Sequence, residues 1–237
     1  MNKPARIAHA YGNNRESLRR ALVAPIDVIE ADVWYRDGEM YVRHEPRLGP
    51  LPLLVDRRMR GHSLPPMSLR FWHRYYVRLD FNSLQLDELL DIVGGQRRLL
   101  LDVKGDYRAS QNLAFAGALI SKIIEHGAAD WVAVCGQFWP VLRCVRELAP
   151  HVEVRYSIES PMQWQRFVAM LDRGDTARNV CIEYRFLSDG KARFLQKHKV
   201  ETYCWTVDDS ASASRLITLG ADGIISNDLA LLGAIND

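Results

Sequence analysis

The sequence predicts a closed barrel of eight parallel strands, each followed by a helix: a (β/α)8 TIM barrel. Three observations carry this expectation. Eight short strand-like runs recur along the chain, and most are followed by a stretch of helical periodicity. Eight such units within 237 residues suit closure of the sheet on itself. An open doubly wound sheet would place a glycine-rich phosphate turn after its first strand, and "HAYGNN" is not one.

The first run is "RIAH" (6–9), and "ESLRRAL" (16–22) reads as a short helix. The second run, "DVIEADVWY" (27–35), returns through "RDGE" into "MYVRH" (40–44); the Asp37-Gly38 pair is a strong hairpin signal. An insertion at about 45–85 separates the second and third units. Within it, "RRMRGHSLPPMSLRFWHRYYVR" (57–78) breaks the rhythm and is rich in arginine and aromatic residues. It reads first as a solvated loop capped by a helix, then as a lid or a lipid-facing edge suited to transient lipid contact.

The third run is "RLLLDVKG" (98–105), and the amphipathic helix 110–127 that follows is stopped by Gly127. "WVAVCG" (131–136), "VEVRYSIE" (152–159) and "NVCIEYRF" (179–186) are the next three, each with a helix behind it. The seventh is "VETYCWTVD" (200–208), followed by the helix "SASASRLITLG". The eighth is "DGIISND" (222–228), with a short helical tail. The whole of 1–237 is expected to form one barrel domain.

Composition narrows the function classes. With 48% hydrophobic residues the chain can bury one sizeable core, and a formal net charge of +2 gives no general case for nucleic-acid binding. Only the basic aromatic stretch 57–78 could stack bases, and a solvated loop is the more ordinary reading. The four cysteines form no CxxC pair and show no zinc-ligand spacing; Cys135, Cys181 and Cys204 sit in apolar strand-like runs, as buried free thiols of a reducing compartment do. No signal-peptide core opens the chain, and no apolar run approaches the roughly 20 residues of a membrane span. A cytoplasmic protein without a transmembrane segment is expected; nothing in the sequence sets an oligomeric state.

In a barrel of this kind chemistry gathers at the C-terminal strand ends. His9 ends the first run, Glu30 and Asp32 lie on the second, Asp102 and Lys104 end the third, and Trp205 lies near the end of the seventh. Glu30 and Asp32 are two apart on a strand and share a face. They alternate with Ile29, Ala31 and Val33, so their face is the barrel interior. Three converging carboxylates repel unless neutralised, and a divalent cation with oxygen ligands, Mg²⁺ or Ca²⁺, is the natural solution. Lys104 adds positive charge for an anionic substrate. His9 and His44 can act as base and acid near neutral pH. Together these groups suit attack on a phosphodiester. A tryptophan in a strand is more often core than ligand wall, so Trp205 stays open. The remaining histidines fall in helices or polar loops and read as structural or surface residues.

"IAH" (7–9), "IEADVWYRDGEMYVRHE" (29–45), "LLLDVKG" (99–105) and "YCWTVDD…LGADGIISND" (203–228) resemble, in the same order, the glycerophosphodiester phosphodiesterase family. The resemblance implies a metal-dependent (β/α)8 barrel that cleaves glycerophosphodiesters to an alcohol and glycerol 3-phosphate. It implies His9 and His44 as the catalytic pair, and Glu30 and Asp32 as metal ligands. Asp102 stands where the family usually has a glutamate ligand, and Lys104 and Trp205 stand at substrate-binding positions. There are departures. His9 is followed by Ala-Tyr-Gly rather than Arg-Gly, and "NNRES" replaces Pro-Glu-Asn-Thr, leaving Arg15 and Glu16 as the nearest charged residues. This reduced set also resembles the sphingomyelinase D branch, some members of which carry an asparagine near the position of Asn13. Asn13 and Arg15 are therefore candidate substrate contacts, and a sphingomyelinase D or lysophospholipase D-like activity is the alternative. A non-catalytic barrel binding phosphorylated ligands is a further one, although it would need no acid–base pair.

Overall fold

The structure, a computed structural model, describes residues 3–44, 54–57, 64, 68–73, 75–78 and 84–235. Its centre is a ring of strands: β1 (Ala5–Ala8), β2 (Val28–Arg36), β3 (Arg98–Val103), β4 (Val132–Gly136), β5 (Glu153–Ile158), β6 (Asn179–Glu183), β7 (Glu201–Trp205) and β8 (Gly223–Ser226). Each pairs in parallel with its neighbours, and β8 pairs back onto β1, so the barrel closes without an edge. After the strands come, in turn, α1 (Arg15–Val23), α2 (Leu86–Val93), α3 (Ala109–Glu125), α4 (Trp139–Leu148), α5 (Pro161–Asp172), α6 (Asp189–Lys197), α7 (Ser210–Thr218) and α8 (Leu229–Ala234). This is the (β/α)8 barrel that the order of runs predicts.

Alternation along the strands separates two apolar layers. Ile29, Ala31 and Val33 of β2 and Leu99, Leu101 and Val103 of β3 face the helices, where Phe115, Leu119 and Leu142 pack. Val28, Leu100, Ala133, Cys135, Cys181, Tyr203 and Ile225 fill the interior. All four cysteines are free. The N-terminal end of the interior is ionic. Arg155 is fully buried there; its Nε lies 2.5 Å from Glu153, its guanidinium donates to Glu201 at 2.6 Å, and it stacks 3.4 Å from the centre of the Tyr203 ring. Arg98 pairs with Glu153 at 2.7 Å on the same side.

The hairpin forms where Asp37-Gly38 predicts it. Both residues take positive φ, 53° and 87°, as a two-residue turn that follows strand twist requires. Past the turn, Glu39–Val42 runs antiparallel to β2 and pairs onward with Leu84–Gln85. The stretch 57–78, read as a loop with a helix, differs among its described residues. Leu54–Arg57, Ser68–Trp72 and Tyr75–Arg78 form a small antiparallel sheet. Its aromatic and β-branched residues favour a pleated strand over a helix. The rest of the expected lid, including residues 58–63 and 65–67, lies outside the described residues. Among the described residues no helix is long and apolar enough to cross a membrane.

Candidate active site

His9 follows β1, and its backbone N–H donates to Ser226 at the end of β8, 2.9 Å away. The next residue, Ala10, takes the left-handed conformation (φ 59°). That turn directs the Ala10 N–H onto Glu30 Oε2. Gly12 then presses on β2, where a Cβ would come within 2.5 Å of the Ala31 side chain. Only glycine allows this approach, and it lets Asn13 reach Asp32. The Asn13 amide donates to Asp32 Oδ2 at 2.5 Å, and its oxygen accepts from the Asp32 backbone N–H at 2.8 Å. Asn13, a candidate substrate contact in the sequence, is thus turned onto a carboxylate. Arg15 is also turned away: its guanidinium pairs with Glu88 of α2, and it does not line the mouth cavity.

Parallel register sets Asp32 of β2 directly beside Asp102 of β3. Glu30, Asp32 and Asp102 each offer an oxygen within 4.8 Å of the others'. Lys104 Nζ lies 2.8 Å from Asp32 Oδ1 and contacts Asp102. Asp102 Oδ1 is buried without a hydrogen-bond donor among the described residues. An acceptor-only oxygen in that position, with two more carboxylates beside it, fits a hard divalent cation.

Charge in the cluster is uneven. Burial, reinforced by Asp32 and Asp102, pushes the Glu30 carboxyl well above the usual range. Burial also disfavours ionised Asp32, but Lys104, His44 and His9 more than offset it and hold Asp32 below its usual range. Burial would lower Lys104, yet Asp102, Asp32 and Glu30 hold it well above its ordinary value, so it stays charged. His9 is lowered, burial outweighing the attraction of Asp32. Its Nε2 stands 4.0 Å from Glu30.

A cavity of about 470 Å³ opens at this end of the barrel, lined among others by His9, Glu30, His44, Asp102, Lys104 and Trp205. Six of the residues that the sequence singles out therefore meet in one place, with Asp32 directly behind them. His44 arrives by the hairpin and not on a barrel strand. Trp205 is wall as well as core: its indole N–H is buried and has no acceptor among the described residues. Sequence reasoning missed Asp208 and Asn227, which share the cavity wall. Asp208 ends the seventh run and Asn227 stands one residue from the end of the eighth, and the strand-end criterion that found His9 applies to them equally.

The sequence model of the glycerophosphoryl diester phosphodiesterase family matches residues 9–231. The chain belongs to that family. A glycerophosphodiester phosphodiesterase of Arabidopsis thaliana is 24% identical over 234 residues, covering 92% of this chain and 67% of the plant protein. Among solved structures, an Oleispira antarctica phosphodiesterase in complex with the product sn-glycerol-3-phosphate superposes with a TM-score of 0.73 at 16% identity, covering 99% of this chain and 97% of that one. A glycerophosphodiester phosphodiesterase from Parabacteroides distasonis gives 0.73 at 18% identity, with the same coverage. One from Thermotoga maritima gives 0.69 at 16%, with both chains covered completely. These likenesses show the same barrel, and the family makes this chain a phosphodiesterase acting on phosphodiester bonds.

Proposed function

We propose that this phosphodiesterase hydrolyses glycerophosphodiesters to an alcohol and glycerol 3-phosphate, with His9 and His44 moving the protons. The observation that carries the reading is the meeting of two imidazoles, an acidic triad and a charged lysine around one cavity. The Oleispira relative holds sn-glycerol-3-phosphate as its product, which supports the same phosphomonoester here.

Glu30, Asp32 and Asp102 would hold a divalent cation, and their all-oxygen set suits Mg²⁺ or Ca²⁺. When bound, the ion supplies positive charge to the phosphoryl oxygens. Lys104 binds the same oxygens from the side, and the Trp205 N–H, without an acceptor among the described residues, orients the substrate. His9, kept neutral by burial, takes the proton of the attacking hydroxyl or water. His44 gives a proton to the alcohol oxygen as its bond to phosphorus breaks. The next turnover begins after protons pass back to solvent.

Phosphorus NMR of the full chain with several phosphodiesters, with and without EDTA, tests this. A glycerol 3-phosphate signal that EDTA suppresses is expected. A cyclic phosphate as the end product, never opened to glycerol 3-phosphate, would point to the sphingomyelinase D-like alternative, and no turnover on any diester would leave a binding barrel. His9→Ala and His44→Ala should each lower kcat on the order of 10²–10⁴-fold and leave metal-dependent thermal stabilisation intact. Asp32→Ala and Asp102→Ala should abolish that stabilisation.

A further inference from the structure

A chain of hydrogen bonds runs from His9 away from the cavity. His9 Nδ1 lies 3.0 Å from Asn227 Oδ1. The other end of that carboxamide, Nδ2, donates to Asp208 Oδ2 at 2.9 Å. Asp208 Oδ1 accepts from the Asn227 backbone N–H at 2.9 Å and from Ser226 Oγ at 3.1 Å. Ser226 Oγ itself accepts from the Asp228 backbone N–H at 3.0 Å, which leaves its own proton for Asp208. The Asn227 carbonyl is pinned as well, accepting from Tyr11 Oη at 3.1 Å.

We propose that Asn227 and Asp208 are positioning residues that fix the tautomer of His9. The inference rests on His9 being the proton acceptor of the reaction. A carboxylate can only accept. Asp208, already receiving from a backbone N–H, must meet the amide end of Asn227. The oxygen end of Asn227 must then face His9. An oxygen there accepts only, so His9 Nδ1 carries the hydrogen. In a neutral imidazole this leaves the lone pair on Nε2, the nitrogen on the Glu30 side that faces the cavity. The backbone bond from His9 to Ser226 and the β1–β8 pairing hold both ends of the chain in register. Without the pair, His9 could carry its hydrogen on Nε2, where it could not receive the proton of the nucleophile.

Asp208→Asn is the informative change. The new amide can donate to Asn227 Oδ1, so Asn227 can rotate and present its NH₂ to His9. Nδ1 then becomes the acceptor, and the hydrogen moves to Nε2. Histidine-selective ¹⁵N NMR of the full chain, with the His9 signal assigned through His9→Gln, reads the tautomer directly. The wild type should show a protonated Nδ1 and a pyridine-like Nε2. Asp208→Asn should gain protonated Nε2 and lose on the order of 10²-fold in kcat, with KM within about twofold and metal-dependent thermal stabilisation kept. A wild-type His9 protonated at Nε2 overturns the inference, and that measurement needs no variant to fold. So does an Asp208→Asn protein with unchanged kcat and tautomer. Failure of the underlying reading is distinct: His9→Ala would keep normal kcat while the wild-type tautomer stayed as described.

Discussion

Asn13 commits both ends of its carboxamide to Asp32. Its removal leaves the buried Asp32 backbone N–H without an acceptor and lets the carboxylate swing. Residues of this kind typically weigh about 10–100-fold in metal affinity. Asn13→Ala should therefore weaken metal binding by roughly that factor in calorimetric titration, with a lower melting temperature in EDTA. Unchanged affinity would show that Asp32 is held by Lys104 alone. At this scale the carboxylates, His9 and Lys104 were legible because they fall on or just after three neighbouring strands, Glu30 and Asp32 on β2, Asp102 and Lys104 at the end of β3 and His9 after β1, where alternation fixes the face. The roles of Asn13 and Arg15 were not. Both lie near His9 in the chain, but the Gly12 approach to Ala31 turns one onto Asp32, and an ion pair with α2 holds the other at Glu88. The Asn227–His9 bond spans 218 positions, and only closure of the ring brings its partners together.

The hairpin after β2 carries His44 to the mouth, so an element outside the barrel delivers half of the proposed acid–base pair. Its turn was legible from two letters, because few residue pairs tolerate positive φ twice. The small sheet in the insertion was not, since arginine and proline interrupt its alternation. Gly38 has open space around it, so a side chain there meets no clash and only the backbone cost remains. Gly38→Val should destabilise by about 1–2 kcal/mol, a fall of roughly 2–8 °C in the melting temperature. Metal-dependent stabilisation should persist, because Glu30 and Asp32 lie on the part of β2 inside the ring. A variant melting with the wild type would show that the turn can relax to negative φ.

In the ring as a whole, β1 and β2 share only a short register. Arg6 clamps this seam, giving its backbone N–H and two guanidinium nitrogens to Asp27, each at 2.9 Å. Burial pushes the Asp27 carboxyl up, but these bonds outweigh it and hold it below the usual range. A depressed carboxyl stabilises the fold above its unfolded pKa and loses that contribution as pH falls through the folded one. The melting-temperature gap between wild type and Asp27→Asn should be full near neutrality and shrink below about pH 4. A gap independent of pH would remove the seam from acid unfolding. At the opposite pole from the mouth, Arg155 and its carboxylates fill the bore, with Tyr203 stacked above them. The bore is a cul-de-sac and not a conduit. Whatever enters must reverse out by the same aperture, so the products leave by the door through which the next diester arrives. Traffic at the mouth runs both ways.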